Sequence, residues 1–156
     1  PTFLYNNGSF IDTNTEDIIM ANVKELLKAE ENGSLSFGDY SLTQKTKLDE
    51  FSFEGDVYKV KTFQEITRLE KNGGVVYESV PGSAVHGYKE TERQIAFETE
   101  AADDLQITLE VEPEKEYKVF VNDTNIGKLK SSLGGKISFS IELDAGETAK
   151  VQVVKL

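Results

Sequence analysis

The sequence predicts a mainly β protein, an antiparallel β-sandwich carrying one N-terminal α-helix. Three observations carry that expectation. In Ile137-Ser138-Phe139-Ser140-Ile141-Glu142-Leu143 the apolar residues fall at every second position, as in a strand with one face in a core and one in water. Turn signals recur from Ser34 onward at the roughly 8- to 12-residue spacing of sandwiches and partly closed barrels. No series of long amphipathic helices alternates with the strands, which disfavours a parallel α/β sheet.

The helical signal runs from Thr15 to Glu31. Thr13 with Glu16 forms a capping box, which satisfies orphan amides at a helix start, and Asp17 adds charge where the helix dipole favours it. Ile19, Val23, Leu26 and Leu27 recur at helical spacing, and Asn32-Gly33 supplies the stop. Ahead of it, Thr2 to Tyr5 and Ser9 to Ile11 read as short strands around Asn6-Asn7-Gly8.

Beyond Ser34 the period becomes two. Phe51-Ser52-Phe53 and Val57 to Phe63 flank a turn at Glu54-Gly55-Asp56. Ile66 to Leu69 and Val75 to Val80 flank Lys71-Asn72-Gly73-Gly74, a hairpin signal because Asn and Gly tolerate positive φ. Pro81-Gly82-Ser83 breaks the chain. Further strands lie at Ile95 to Glu100, Leu105 to Val111, Tyr117 to Val121, Ile126 to Lys130, Lys136 to Leu143 and Ala149 to Val154. Asn122 to Asn125, Leu133-Gly134-Gly135 and Asp144 to Glu147 are their turns.

At 156 residues the chain suits a single β-rich domain over 1–156. The alternative is two small β subdomains meeting at the polar stretch Tyr88 to Gln94. Folding at this length buries roughly 70% of the surface of the unfolded chain, so a core forms without staples. There is no cysteine, hence no disulfide, no thiolate nucleophile and no zinc ribbon. The net charge of −11 is dispersed among scattered lysines, a solubilising surface rather than the basic stripe that nucleic acid demands. No apolar run approaches the roughly 20 residues of a membrane span. Pro1 opens no leader-like segment, so the expectation is cytoplasmic, with an extracellular site the alternative for a trimmed mature form.

The chemistry is defined largely by what is missing. His86 is the single histidine, which leaves no histidine metal site, and no cofactor is expected. It lies in Ser79-Val80-Pro81-Gly82-Ser83-Ala84-Val85-His86-Gly87, a stretch read as a surface turn in preference to a catalytic or ligand loop. Asp103-Asp104 and Asn122-Asp123-Thr124-Asn125 lack calcium-loop spacing, and Asx residues are what hairpins favour. Gly73-Gly74 and Gly134-Gly135 lead into strands, not into the helix N-terminus that a phosphate loop needs. With 28 acidic residues a chance carboxylate pair is inevitable. Tyr5, Tyr40, Tyr58, Tyr77, Tyr88 and Tyr117 could stack on sugars, but several alternate with apolar residues as core positions do.

Tyr58-Lys59-Val60-Lys61-Thr62-Phe63, Thr67 to Gly73, Tyr77-Glu78-Ser79-Val80-Pro81-Gly82 and Leu133 to Ser138 resemble small, uncharacterised proteins of anaerobic gut bacteria, some labelled endosialidase. That resemblance covers most of the chain and implies sialic-acid chemistry. The residues argue against it. Sialidases clamp the sugar carboxylate with three arginines, and here there are two, Arg68 and Arg93. Tyr77 and Glu78 are adjacent and on a strand would face opposite ways.

The expectation is therefore a non-catalytic interaction or assembly module, binding a protein partner or itself, without nucleic acid or membrane. A carbohydrate or other small-ligand module is the first alternative. A hydrolase using a carboxylate pair or His86 is the second. For either alternative the candidate residues are Arg68, Tyr77, Glu78 and His86, the first two on strands paired through the Lys71 to Gly74 turn.

Overall fold

A computed structural model describes residues 25–156. Within them run thirteen strands: β1 (Leu27–Ala29), β2 (Leu35–Phe37), β3 (Thr46–Phe53), β4 (Asp56–Phe63), β5 (Ile66–Lys71), β6 (Gly74–Val80), β7 (Ser83–Glu90), β8 (Gln94–Ala101), β9 (Leu105–Glu110), β10 (Glu116–Val121), β11 (Thr124–Lys130), β12 (Lys136–Ile141) and β13 (Thr148–Lys155). They form two antiparallel sheets that pack as a sandwich. The seven-stranded sheet has the order β1-β2-β7-β8-β13-β10-β11, the six-stranded one β12-β9-β6-β5-β4-β3. The chain passes back and forth between the sheets, so the two layers are built together from interleaved segments.

Turn chemistry sets the hairpins. Asn72 and Gly73, Glu54 and Gly55, and Asn122 and Asp123 all take positive φ, the paired left-handed conformation of a tight two-residue hairpin turn. Alternation then sorts the faces. On β4, Tyr58, Val60 and Thr62 point inward, while Val57, Lys59, Lys61 and Phe63 point outward. One apolar cluster fills the space between the sheets and draws on residues from Leu27 to Val153. Its centre is aromatic: Tyr77 packs edge-on against Phe37 at 5.3 Å and against Phe97 at 5.5 Å between ring centroids.

Most of the expected helix lies on residues before 25, outside those described, as do the short strands ahead of it. Its last part does not hold: Leu27–Ala29 is strand β1, paired Leu27↔Phe37. Tertiary packing overrides the helical spacing of Leu26 and Leu27, because Leu27 buries itself against the sandwich core at 2% exposure. The stretch around His86 is likewise not a turn but the interior of β7, which Pro81-Gly82 precedes. Tyr88 to Gln94 spans the end of β7 and the turn into β8, where Thr91 N–H donates to the Gln94 carbonyl. No helix among the described residues is long and apolar enough to cross a membrane.

Candidate functional site

The fold distributes Arg68, Tyr77, Glu78 and His86 over three places. Arg68 and Glu78 are register partners on the outer face of the six-stranded sheet. Arg68 Nε and Nη2 both donate to Glu78 Oε2, at 2.8 and 2.7 Å. Tyr77, one residue earlier, points the other way and is fully buried. His86 lies half-buried on the outer face of the opposite sheet, across from Glu98.

Tyr77 belongs to a hydroxyl network that crosses the core. Its Oη is 2.8 Å from Ser83 Oγ, which is also 2.7 Å from Ser79 Oγ. Thr67 Oγ1 donates to the Ser83 carbonyl at 2.9 Å and accepts the Ser83 N–H at 3.0 Å. Thr62 Oγ1 is 2.8 Å from Thr67 Oγ1 and accepts the Asp39 N–H. Burial pushes the Tyr77 phenol above its ordinary pKa, while bonds to Ser83, Thr99 and Ser79 pull it back. Ser79 and Ser83 thus serve the join between the sheets, on the face away from His86. Gly38 permits that closeness: its φ is +95°, and a Cβ there would collide with the Ser83 carbonyl oxygen.

His86 meets a carboxylate the sequence did not single out. Its Nε2 lies 3.2 Å from Glu100 Oε1, and Tyr40 Oη donates to Glu100 Oε2 at 3.4 Å. The Glu100 side chain is only 6% exposed. Burial raises its pKa, and the contacts with His86 and Tyr40 partly reverse the rise. The Tyr40 phenol is itself pushed up to about 12, first by burial and then by the Glu100 charge. Glu98, two residues before Glu100 on the same face, is exposed. Alternation along β8 was legible, but the diagonal from β7 depends on register.

Of the tyrosines, Tyr58, Tyr77, Tyr88 and Tyr117 are buried in the core, and Tyr40 is half-buried. They do not line one sheet face as an aromatic platform. Tyr5 lies outside the described residues. Among those described, no group of three or more His, Asp and Glu side chains is placed to hold a metal ion.

The outer face of the six-stranded sheet carries an apolar strip instead. Phe63 and Ile66 are register partners, and Val80 stands beside Ile66, one step beyond the Thr67↔Ser79 pair. Val80 is 52% exposed, with Phe63, Ile66 and Pro81 partly so. Lys45 Nζ stands 5.9 Å from the Phe63 ring centroid, and the Arg68–Glu78 pair lies in a neighbouring row. The outer face of the seven-stranded sheet has charges in its rows, with Glu98 between His86 and Lys150. No family model, curated protein or solved structure matches this chain.

Proposed function

We propose that this chain is a non-catalytic β-sandwich module that binds a protein surface, another chain or a second copy of itself. The observation supporting it is the strip of Phe63, Ile66 and Val80 on the outer face of the six-stranded sheet. An outward strand position normally takes a polar residue, and here three adjacent strands each place an aliphatic or aromatic side chain in one row. Covering that row returns about 25 cal/mol per Å² of apolar surface removed from water. Arg68 and Glu78, paired in a neighbouring row, supply the polar rim that such a contact uses for orientation.

Sedimentation velocity over a wide concentration range, with affinity capture from the native source, tests this function. Wild type should self-associate or retain a partner. Val80→Glu and Phe63→Ser should abolish that association while circular dichroism and melting stay unchanged. A wild-type monomer whose captured proteins are the same as those of Val80→Glu would rule the function out.

A further inference from the structure

We propose that the partner covering the Phe63, Ile66 and Val80 strip is an acidic amphipathic helix of another protein. This rests on the function proposed above and names the chemistry of what binds there. A row of cations lies beside the strip. Lys47 on β3 is the register partner of Lys61 on β4, and Lys61 is the register partner of Arg68 on β5. All three point outward, Lys47 exposed and the other two partly so. Lys45 adds a fourth charge over the Phe63 ring.

Like charges directly opposite one another on neighbouring strands destabilise a sheet. In a chain with 28 acidic and 17 basic residues, carboxylates are plentiful for such positions. Lys59, the next outward residue of β4, pairs with Asp49 at 3.6 Å. Lys47 and Lys61 form no ion pair among the described residues. Lysine on an edge strand guards against unwanted pairing, which accounts for Lys47, since β3 is the edge of its sheet. It does not account for Lys61 or Arg68, which lie on interior strands. Arg68 commits Nε and Nη2 to a single Glu78 oxygen, so its Nη1 remains to meet an incoming carboxylate. Glu65 is exposed in the β4–β5 turn, beyond the apolar row. Charge of opposite sign on the two sides of the strip fixes which way round an acidic partner lies.

The spacing selects a helix. Neighbouring strands are about 4.8 Å apart, and the two rows lie two residues apart along the strands, about 7 Å. A helix laid across the strands advances about 5.4 Å per turn. Successive turns therefore set an apolar stripe over Phe63, Ile66 and Val80, and an adjacent acidic stripe over Lys61 and Arg68. An extended peptide cannot do both, because its alternate side chains face opposite ways. A long polyanion such as nucleic acid would overrun the patch onto a chain of net charge −11.

Peptides of about 15 residues, long enough to form a helix, separate the two rows. One carries a leucine stripe beside a glutamate stripe, a second has lysine in place of glutamate, and a third has serine in place of leucine. Amide chemical shifts of the full chain should move at Lys47, Lys61, Phe63, Ile66, Arg68 and Val80 with the first peptide alone. Lys61→Glu should weaken that binding about tenfold or more and flatten its salt dependence. Lys61→Gln should weaken it less and melt no lower than wild type, which separates lost binding from lost folding. Lys47→Glu, on the exposed edge, repeats the test at a second position. Equal binding by the lysine peptide, or binding unchanged in Lys61→Glu and Lys47→Glu, would overturn the acidic partner and leave the apolar strip in place. Binding unchanged in Val80→Glu would overturn both. Shifts elsewhere or none, tighter binding by single-stranded DNA of equal charge, or a salt-sensitive dimer formed without peptide would each overturn the acidic helix.

Discussion

Tyr77 and Tyr88 share one core, with ring centroids 6.5 Å apart and planes crossed at 83°, yet their hydroxyls are treated differently. The Tyr77 hydroxyl meets Ser83, which belongs to the opposite sheet, so a bond from β6 reaches β7 across the sandwich. The Tyr88 hydroxyl has no hydrogen-bond partner among the described residues. An unmade hydrogen bond on a buried hydroxyl costs about 1–3 kcal/mol, while a made one contributes about 1 kcal/mol net. One phenol therefore helps to hold the layers together. The other subtracts from stability until something partners it. Identical residue type and near-identical burial give opposite signs, so the partner decides, not the burial.

The largest effect should come from the far end of the Tyr77 network. Thr67→Val keeps the shape but strips partners from the Ser83 N–H, the Ser83 carbonyl and Thr62. Orphaning these buried groups should cost about 3–5 kcal/mol, a fall in Tm of roughly 10 °C or more at this size. Urea denaturation measures it. A cost below about 1 kcal/mol would mean that water replaces the threonine and that the network does not tie the sheets. Tyr77→Phe should cost less, about 1–2 kcal/mol, because Ser83 keeps its bond to Ser79. An unchanged midpoint there would erase the contrast with Tyr88.

Much of this fold was legible because its turns announce themselves. Asn72-Gly73 and Asn122-Asp123 fix two hairpins through positive φ, and the alternation of β12 is visible from Ile137 to Ile141. Strand β7 was not legible, since Ser83, Ala84 and Val85 are all buried and Gly87 interrupts the rest of the strand, so no period of two remains. β1 failed for the related reason that three residues are too few to show a period. The pairing of the strands that carry Arg68 and Tyr77 was legible from one hairpin, but Arg68 opposite Glu78 needed its register, and His86 with Glu100 needed the β7–β8 register, whose shift between His86 and Lys89 no local pattern reveals.

Glu100 adds to these two phenols a buried group that has partners and still titrates. Its folded pKa is raised, so the folded state keeps its proton after the unfolded chain has lost it. Below the ordinary carboxylate range, about pH 4, both states are protonated and the group costs nothing. As pH rises from there through the folded value, the folded state binds the extra proton and stability falls. Glu100→Gln removes that titration. The stability of the variant relative to wild type should therefore grow between about pH 4 and pH 7, read as the difference of two urea midpoints at each pH. A difference that shrinks over the same range would mean that His86 stabilises the ionised carboxylate by more than burial destabilises it.

The smallest effect is the most informative. Tyr88→Phe removes a hydroxyl that makes no bond, so in the ligand-free protein the stability should stay within about 0.5 kcal/mol of wild type or rise. The ring keeps its edge contacts with Phe37 and Tyr77, which leaves the packing unchanged. A loss comparable to that of Tyr77→Phe would show a water bound to the hydroxyl in the free protein, and the two phenols would then be alike. A gain would show that the chain carries a destabilising hydroxyl in its core. Core packing alone gives no reason to keep an oxygen there, because phenylalanine would fill the same space. The sign of a change smaller than about 1 kcal/mol therefore separates a hydroxyl satisfied by water from one left unbonded at this position.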